Sequence, residues 1–193
     1  MAHGYHIESV TLHSWLLCLN LQREYVTPGR PLHAPHGEAV ADVARSCLQH
    51  ARKERWRIAH VQTGRVRLAN NRMFSRPIEG LEPSPSEPVF STEYRSALTH
   101  AGLRDELMLA PAHTVYVVGF SLAHDGLATL FHGLDLDLPV RIVQGAAGSP
   151  SLGERSAAEI DRAAFAIAAS QGGLATNQDF LGAPTANVVR LRG

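Results

Sequence analysis

The chain has 193 residues, of which 45% are hydrophobic and 19% are charged, and its 18 basic and 18 acidic side chains give a formal net charge of zero. This length is sufficient for one domain with a substantial hydrophobic core. The balanced charge argues against nucleic acid and anionic membranes as partners, because both attract clustered basic side chains. We therefore expect a small molecule or another protein subunit as the binding partner.

Short apolar runs typical of buried strands alternate along the chain with segments of helical period. In chain order, the patterns predict a strand at 10–20, a helix at 37–54, a strand at 56–63, a helix at 95–109, a strand at 113–120, a helix at 125–136, a strand at 139–145 and a helix at 154–172. This alternation is typical of a three-layer α/β fold, in which helices cover both faces of a mostly parallel sheet. We predict that residues 1–193 form a single domain of this class.

One segment interrupts the alternation, at residues 76–88, where four of thirteen residues are proline. Proline lacks the amide hydrogen that a central strand must donate. We therefore predict an ordered surface arm that packs over a functional site or a neighbouring subunit.

The opening residues show neither the basic region nor the apolar region of a signal peptide. No apolar run approaches the roughly 18 residues of a membrane span, so a cytoplasmic location is the expectation. Cys18 and Cys47, the two cysteines, fall in strand and helix patterns and are expected to be buried free thiols.

A mostly parallel sheet binds its ligands at the carboxyl ends of its strands. The residues that follow the predicted strands are therefore the first candidates for a site. Many of them are polar: Asn20, Gln22, residues 62–65, Ser91, Thr92, residues 121–125 and residues 144–149.

Four stretches carry a resemblance to a known family, in the same order along the chain. They are LLCLNLQREYVTPG at 16–29, YRSALTHAGL at 94–103, VYVVGFSLAHDGLAT at 115–129 and GGLATNQDFL at 172–181. The chain resembles the isochorismatase-like hydrolases, also called the cysteine hydrolase superfamily, over nearly its whole length. In the first stretch Asn20, Gln22 and Tyr25 stand where the family has Asp, Gln and an aromatic residue. The resemblance implies the same three-layer α/β fold.

The resemblance also implies a catalytic triad, and all three of its residue types are replaced here. Family amidohydrolases use an Asp as general base, a Lys that stabilises charge and a Cys thiolate that attacks a carbonyl carbon. The matching positions carry Asn20, Thr92 and Asp125. Because an Asn side chain cannot take up the proton of a thiol, we expect a catalytically impaired or non-catalytic homologue that keeps a small-molecule pocket.

A hydrolase with rearranged residues is the alternative, so the sequence leaves open whether the chain is an enzyme. Asp125 could attack as a carboxylate with His124 as the adjacent base, or a hydroxyl of Ser91, Thr92 or Ser121 could attack a small amide, ester or enol ether. A structural interpretation of Asp125 competes with both, because Asp is a favoured residue for capping the start of a helix.

Further candidate pocket residues follow from the strand ends and from the resemblance: Gln22, Tyr25, His60, Arg65, Ser91, Ser121, His124 and Gly126. Arg65 is a candidate for binding a substrate carboxylate through its planar guanidinium. Residues 62–71 lack the Asp and His of the nicotinamidase metal motif, so neither a metal nor another cofactor is expected. The resemblance implies a homo-oligomer, a dimer or tetramer, and allows an active paralogous subunit as partner.

Overall fold

The computed structural model describes residues 9–63, 73–109, 112–183 and 186–190. Its strands are β1 (Ser9–Leu19), β2 (Arg57–Thr63), β3 (Val89–Thr92), β4 (Ala112–Phe120), β5 (Val140–Gly148), β6 (Leu174–Ala175) and β7 (Ala186–Arg190). Its α-helices are α1 (Gly37–Lys53), α2 (Ala101–Leu109), α3 (Leu127–Asp135), α4 (Ala157–Ser170) and α5 (Asn177–Leu181).

The strands form one sheet in the order β3-β2-β1-β4-β5-β6, and these six strands pair in parallel. The seventh strand, β7, pairs antiparallel with the first half of β1. The strand order reverses between β1 and β4. At such a switch point the connections that follow the two neighbouring strands run in opposite directions. This opens a crevice beside the carboxyl ends of the strands.

The core is divided into two layers by the sheet, because successive side chains of a strand point to opposite faces. On β1, Leu16 and Cys18 pack in the cluster that α1 covers. Leu17 and Leu19 pack in the opposite cluster. Both faces of the sheet are therefore buried, and the predicted three-layer α/β fold with a mostly parallel sheet is confirmed.

Two of the predicted helices begin differently from the prediction. The pattern over 95–109 is divided into a 3-10 turn at Ala97–Thr99 and helix α2, because the Ser96 hydroxyl accepts the Leu98 amide and caps the short turn. The pattern over 125–136 is preceded by a π-helical turn at Leu122–Gly126. Strand β3 includes Ser91 and Thr92, which were expected to follow a strand.

The proline-rich arm at 76–88 packs against the segment that follows β1. Its Ile78 and Leu81 are buried, and the Ile78 amide donates to the Leu21 carbonyl at 2.9 Å. Pro77 pairs with Gln22 in an isolated antiparallel bridge. The arm is thus anchored to the α1 face of the sheet.

Cys18 and Cys47 are buried free thiols, as expected. Burial raises the pKa of both thiols, that of Cys47 to about 12. Neither thiol is a nucleophile at neutral pH. Within the described ranges, no helix has the length and apolar character needed to cross a bilayer.

Candidate functional site

The ends of β1 and β4 lie close together because Gly119 allows the two strands to approach. Gly119 has φ +116°, and a Cβ added there would lie 1.9 Å from the Leu19 carbonyl oxygen. Both strands then turn sharply through left-handed residues, Asn20 at φ 50° and Ser121 at φ 65°. Two strand ends with such turns, side by side at the switch point, are typical of a functional site.

The turn after β4 fixes the position of Asp125. The Ser121 carbonyl oxygen accepts the amides of His124, Asp125 and Gly126 at 3.0, 2.7 and 3.2 Å. Thr129 then donates its hydroxyl to the Asp125 carbonyl oxygen at 2.7 Å. The Asp125 side chain is held at the carboxyl edge of the sheet, where it is only 1% exposed.

Asn20, Thr63 and Asp125 form a buried hydrogen-bonded cluster at the carboxyl ends of β1, β2 and β4. The Asn20 Nδ2 donates to Asp125 Oδ2 at 2.9 Å and to Thr63 Oγ1 at 3.0 Å. The Thr63 hydroxyl donates to the same Asp125 oxygen at 2.7 Å, while its amide donates to Asn20 Oδ1 at 2.9 Å. Two of the three positions matched to the family triad are therefore in direct contact.

The other oxygen of Asp125 faces Arg95. Arg95 Nη1 lies 3.6 Å from Asp125 Oδ1, which is longer than a hydrogen bond. Both atoms are buried, and neither has a hydrogen-bond partner among the residues that the structure describes. The arginine side chain as a whole is 42% exposed, so it connects the buried carboxylate with the protein surface.

Arg95 is the functional side chain that sequence reasoning missed. Matching by position assigned the place of the family lysine to Thr92. In the structure the Thr92 hydroxyl is bonded to the Thr99 hydroxyl at 2.8 Å, and the cation beside Asp125 comes from three residues further along the chain. Thr63 was a candidate only as one of residues 62–65. Its position as the last residue of β2 is the sequence feature that could have singled it out.

The helix-cap interpretation of Asp125 is not what the structure shows. Asp125 lies inside the π-helical turn, and the turn has no side-chain cap at its start, Ser121. The carboxylate instead accepts from Asn20 and Thr63, which belong to other strands. Asp125 therefore joins three elements of the sheet rather than closing one helix end.

His60 and Tyr25 lie apart from this cluster. His60 is buried in β2, and its Nε2 lies 3.0 Å from Glu87 Oε2 of the proline-rich arm. Burial lowers the pKa of His60 despite the neighbouring carboxylate. The Tyr25 ring is stacked on Phe120, with 4.9 Å between the ring centroids, and belongs to the hydrophobic core.

The remaining candidates are distributed around the site. Gln22 is buried beneath the arm, and its side-chain oxygen has no hydrogen-bond partner within the described ranges. Ser91 is exposed on the edge strand β3. Ser121, His124 and Gly126 belong to the turn that carries Asp125, whereas Arg65 lies outside the described residues. In the described part of the chain, His, Cys, Asp and Glu form no group of three or more that is suited to a metal ion.

Comparison with known proteins identifies the family. A family model for the isochorismatase domain matches residues 14–173. The chain belongs to the isochorismatase family. No curated protein matches it.

Solved structures share the fold of this chain. An isochorismatase from Pseudomonas putida is 26% identical, with coverage of 85% of this chain and 87% of the other and a TM-score of 0.73. A cysteine hydrolase from Pseudomonas syringae is 17% identical, with coverage of 85% and 88% and a TM-score of 0.70. The MAR1 ribonuclease from Caenorhabditis elegans is 18% identical, with coverage of 88% and 80% and a TM-score of 0.71.

Proposed function

We propose that this isochorismatase-family protein binds a small molecule with a primary amide group at the Asn20–Asp125 cluster and releases it unchanged. The observation that carries the proposal is the pair formed by Asp125 Oδ1 and Arg95 Nη1. An acceptor and a donor lie 3.6 Å apart, both buried and both without a hydrogen bond among the described residues. Buried polar groups normally make hydrogen bonds, so two neighbouring buried atoms that both lack one require an explanation.

A primary amide is complementary to this pair. Its N–H group can donate to the Asp125 carboxylate, and its carbonyl oxygen can accept from the Arg95 guanidinium. Both bonds involve a charged partner, which makes them stronger than bonds between neutral groups. A ligand without an N–H group would leave Asp125 Oδ1 unpaired and would bind more weakly.

The same geometry argues against the family's thiol chemistry. The nucleophile position carries Asp125. Both cysteines are buried, with raised pKa values. The general-base position carries Asn20, which donates two hydrogen bonds within the cluster. A neutral side-chain amide is not a base at neutral pH, and the Asn20 Oδ1 already accepts from the Thr63 amide, so Asn20 cannot take a proton from a nucleophile.

A thermal-shift assay tests the proposal, with benzamide and nicotinamide as probes and N,N-dimethylbenzamide as the control that lacks an N–H group. The primary amides should raise the melting temperature of the wild type and leave that of Asp125→Ala unchanged, and mass spectrometry should recover them intact. Equal shifts with the dimethyl compound, or equal shifts in the variant, would contradict the proposed contact.

A second function, hydrolysis through Asp125, is favoured by the same unpaired oxygen. Asp125 Oδ1 would attack the amide carbonyl carbon, and the amine would leave with a proton from the adjacent His124 or from water. Water would then cleave the acyl–aspartyl anhydride. Turnover in heavy-oxygen water separates the two functions, because attack of water on the Asp125 carboxyl carbon places solvent oxygen in the peptide that contains Asp125. The binding proposal predicts neither turnover nor label.

A further inference from the structure

A cavity lies at the opposite edge of the sheet from Asp125. Its volume is about 430 Å³, and its walls come from the end of α1, the beginning of β2 and the proline-rich arm. Residues Arg55, Trp56 and Arg57 form one side, where β2 begins, whereas Thr63 of the Asp125 cluster is the last residue of that strand. The size is that of a pocket for a small metabolite.

The walls of this cavity are rich in arginine. Arg52 is already paired with Glu87 of the arm, with 2.8 Å between Nε and Oε1. Arg55 and Arg57 also line the cavity, and neither has an ion pair within the described part of the chain. The other acid on the walls is Glu106. Two guanidinium groups are thus available for an anion.

The two indole groups of the chain lie in the same walls. Trp15 is 2% exposed and Trp56 is 5% exposed, and the ring N–H of each is buried without an acceptor among the described residues. The Arg57 guanidinium lies over the Trp15 ring, 5.4 Å from its centroid. The two guanidinium groups that have no ion pair among the described residues therefore line the cavity, and both would be complementary to an oxyanion.

The backbone at Arg55 marks the end of α1. Arg55 adopts φ 56°, and the amides of Arg55 and Trp56 donate to the carbonyl oxygens of Arg52 and Ala51 at 3.2 and 2.9 Å, which is the pattern of a left-handed helix C-cap. This cap turns the chain from α1 into β2 and places Arg55 and Arg57 in the wall of the cavity.

We propose that this arginine-lined cavity binds the oxyanion group of a small metabolite, a carboxylate or a phosphate monoester. The guanidinium groups of Arg55 and Arg57 bind the anion, since their planar forks match both kinds of group. The site is separate from the Asp125 cluster and does not depend on amide binding there.

Tryptophan fluorescence is a selective reporter of this cavity, because both tryptophans of the chain line it. Wild-type protein is titrated with benzoate and with phenyl phosphate, which distinguish the two anion classes, and with benzyl alcohol as the neutral control. At least one anion should change the fluorescence saturably, and benzyl alcohol should not.

Two substitutions and a matched control test the arginines. Arg57→Gln and Arg55→Gln should each weaken the binding about tenfold, as expected for the loss of a charge-assisted contact. Arg155→Gln removes an arginine that is 75% exposed and outside the cavity, and it should leave the affinity unchanged. Circular dichroism confirms that each variant is folded. The absence of a saturable change with either anion, or equal affinity in all three variants, would overturn the proposal.

Discussion

The carboxylates of Glu87 and Asp125 are both shielded from solvent. They differ in how much of their hydrogen-bonding capacity the protein uses. The Glu87 side chain is 7% exposed and binds Arg52 through both oxygens, His60 and the Ser84 amide. Asp125 is 1% exposed and accepts two hydrogen bonds on Oδ2. Among the residues that the structure describes, its Oδ1 has only the Arg95 contact at 3.6 Å.

We propose that this difference separates a structural carboxylate, Glu87, from a ligand-binding one, Asp125. Burial alone raises the pKa of Glu87, but Arg52, the Ser84 amide and His60 more than offset this effect and lower the pKa to about 2. Glu87 has its hydrogen-bonding capacity taken up by the protein, and it joins the arm to α1 and β2. Asp125 keeps one oxygen that a ligand can bind, which is why we assign the ligand to it.

The largest expected effect is on stability, at the satisfied carboxylate. Glu87→Gln removes the charge that pairs with Arg52, and it should lower the free energy of unfolding by about 3 kcal/mol. Urea denaturation at neutral pH measures the change. Glu82→Gln is the matched control, because Glu82 belongs to the same arm and its hydrogen bond with Arg52 is made by its backbone carbonyl oxygen rather than by its carboxylate. Equal losses in the two variants would show that the Glu87 carboxylate contributes no more to stability than the Glu82 carboxylate.

The pH dependence of stability should also report on Glu87. Its folded pKa of about 2 lies below the ordinary value of 4.5, so its contribution is fully present above pH 4.5 and is lost as the pH falls toward 2. The contribution should be roughly 2 kcal/mol. Melting curves between pH 6 and about 2 for the wild type and Glu87→Gln test this linkage. A parallel decline in the two proteins would show that another group is responsible.

Asp125→Asn should have a smaller effect on stability, about 1 kcal/mol, because the amide oxygen can still accept from Asn20 and Thr63. It should nevertheless abolish the binding of primary amides, since the new NH₂ group would face the Arg95 guanidinium. Denaturation and calorimetry are measured on the same preparation. If this variant lost as much stability as Glu87→Gln, Asp125 would be a structural carboxylate too.

The smallest effect on stability is expected for Arg95→Gln, within about 0.5 kcal/mol, because the Arg95 side chain is 42% exposed and lies too far from Asp125 for a hydrogen bond. Benzamide affinity should still fall about tenfold with the loss of a charge-assisted bond. Arg104→Gln is a close control, since Arg104 is 37% exposed and lies 3.7 Å from Asp105. Loss of affinity in both variants would point to general electrostatics rather than to a contact at Asp125.

The layers of the fold could be predicted from the sequence, because the periodic spacing of hydrophobic residues is enough to specify them. The alternation over β1, α1 and β2 indicates which residues are buried, whatever the rest of the chain does. It also placed Asn20 and Asp125 among the residues that follow predicted strands, although it did not predict that the two strands are neighbours. The short strand β6 and the antiparallel strand β7 were not predicted, since a two-residue strand has no period and pairing direction depends on distant residues.

The charged contacts were less accessible to sequence reasoning. Arg95 reaches Asp125 because the chain bends after β3 and the arginine side chain is long, whereas matching by position placed the family lysine at Thr92 or a close neighbour and considered no arginine. Glu87 stood in a segment expected to be a surface arm, yet its partners Arg52 and His60 come from α1 and β2. Such pairs depend on tertiary packing and leave no periodic signal.

The most direct test of the central claim is calorimetric titration of wild type and Asp125→Asn with benzamide, followed by chromatography of the recovered ligand. We expect saturable binding to the wild type, no binding to the variant and recovery of benzamide without benzoate. Benzoate formed by the wild type and not by the variant would contradict the claim and would make Asp125 a catalytic nucleophile.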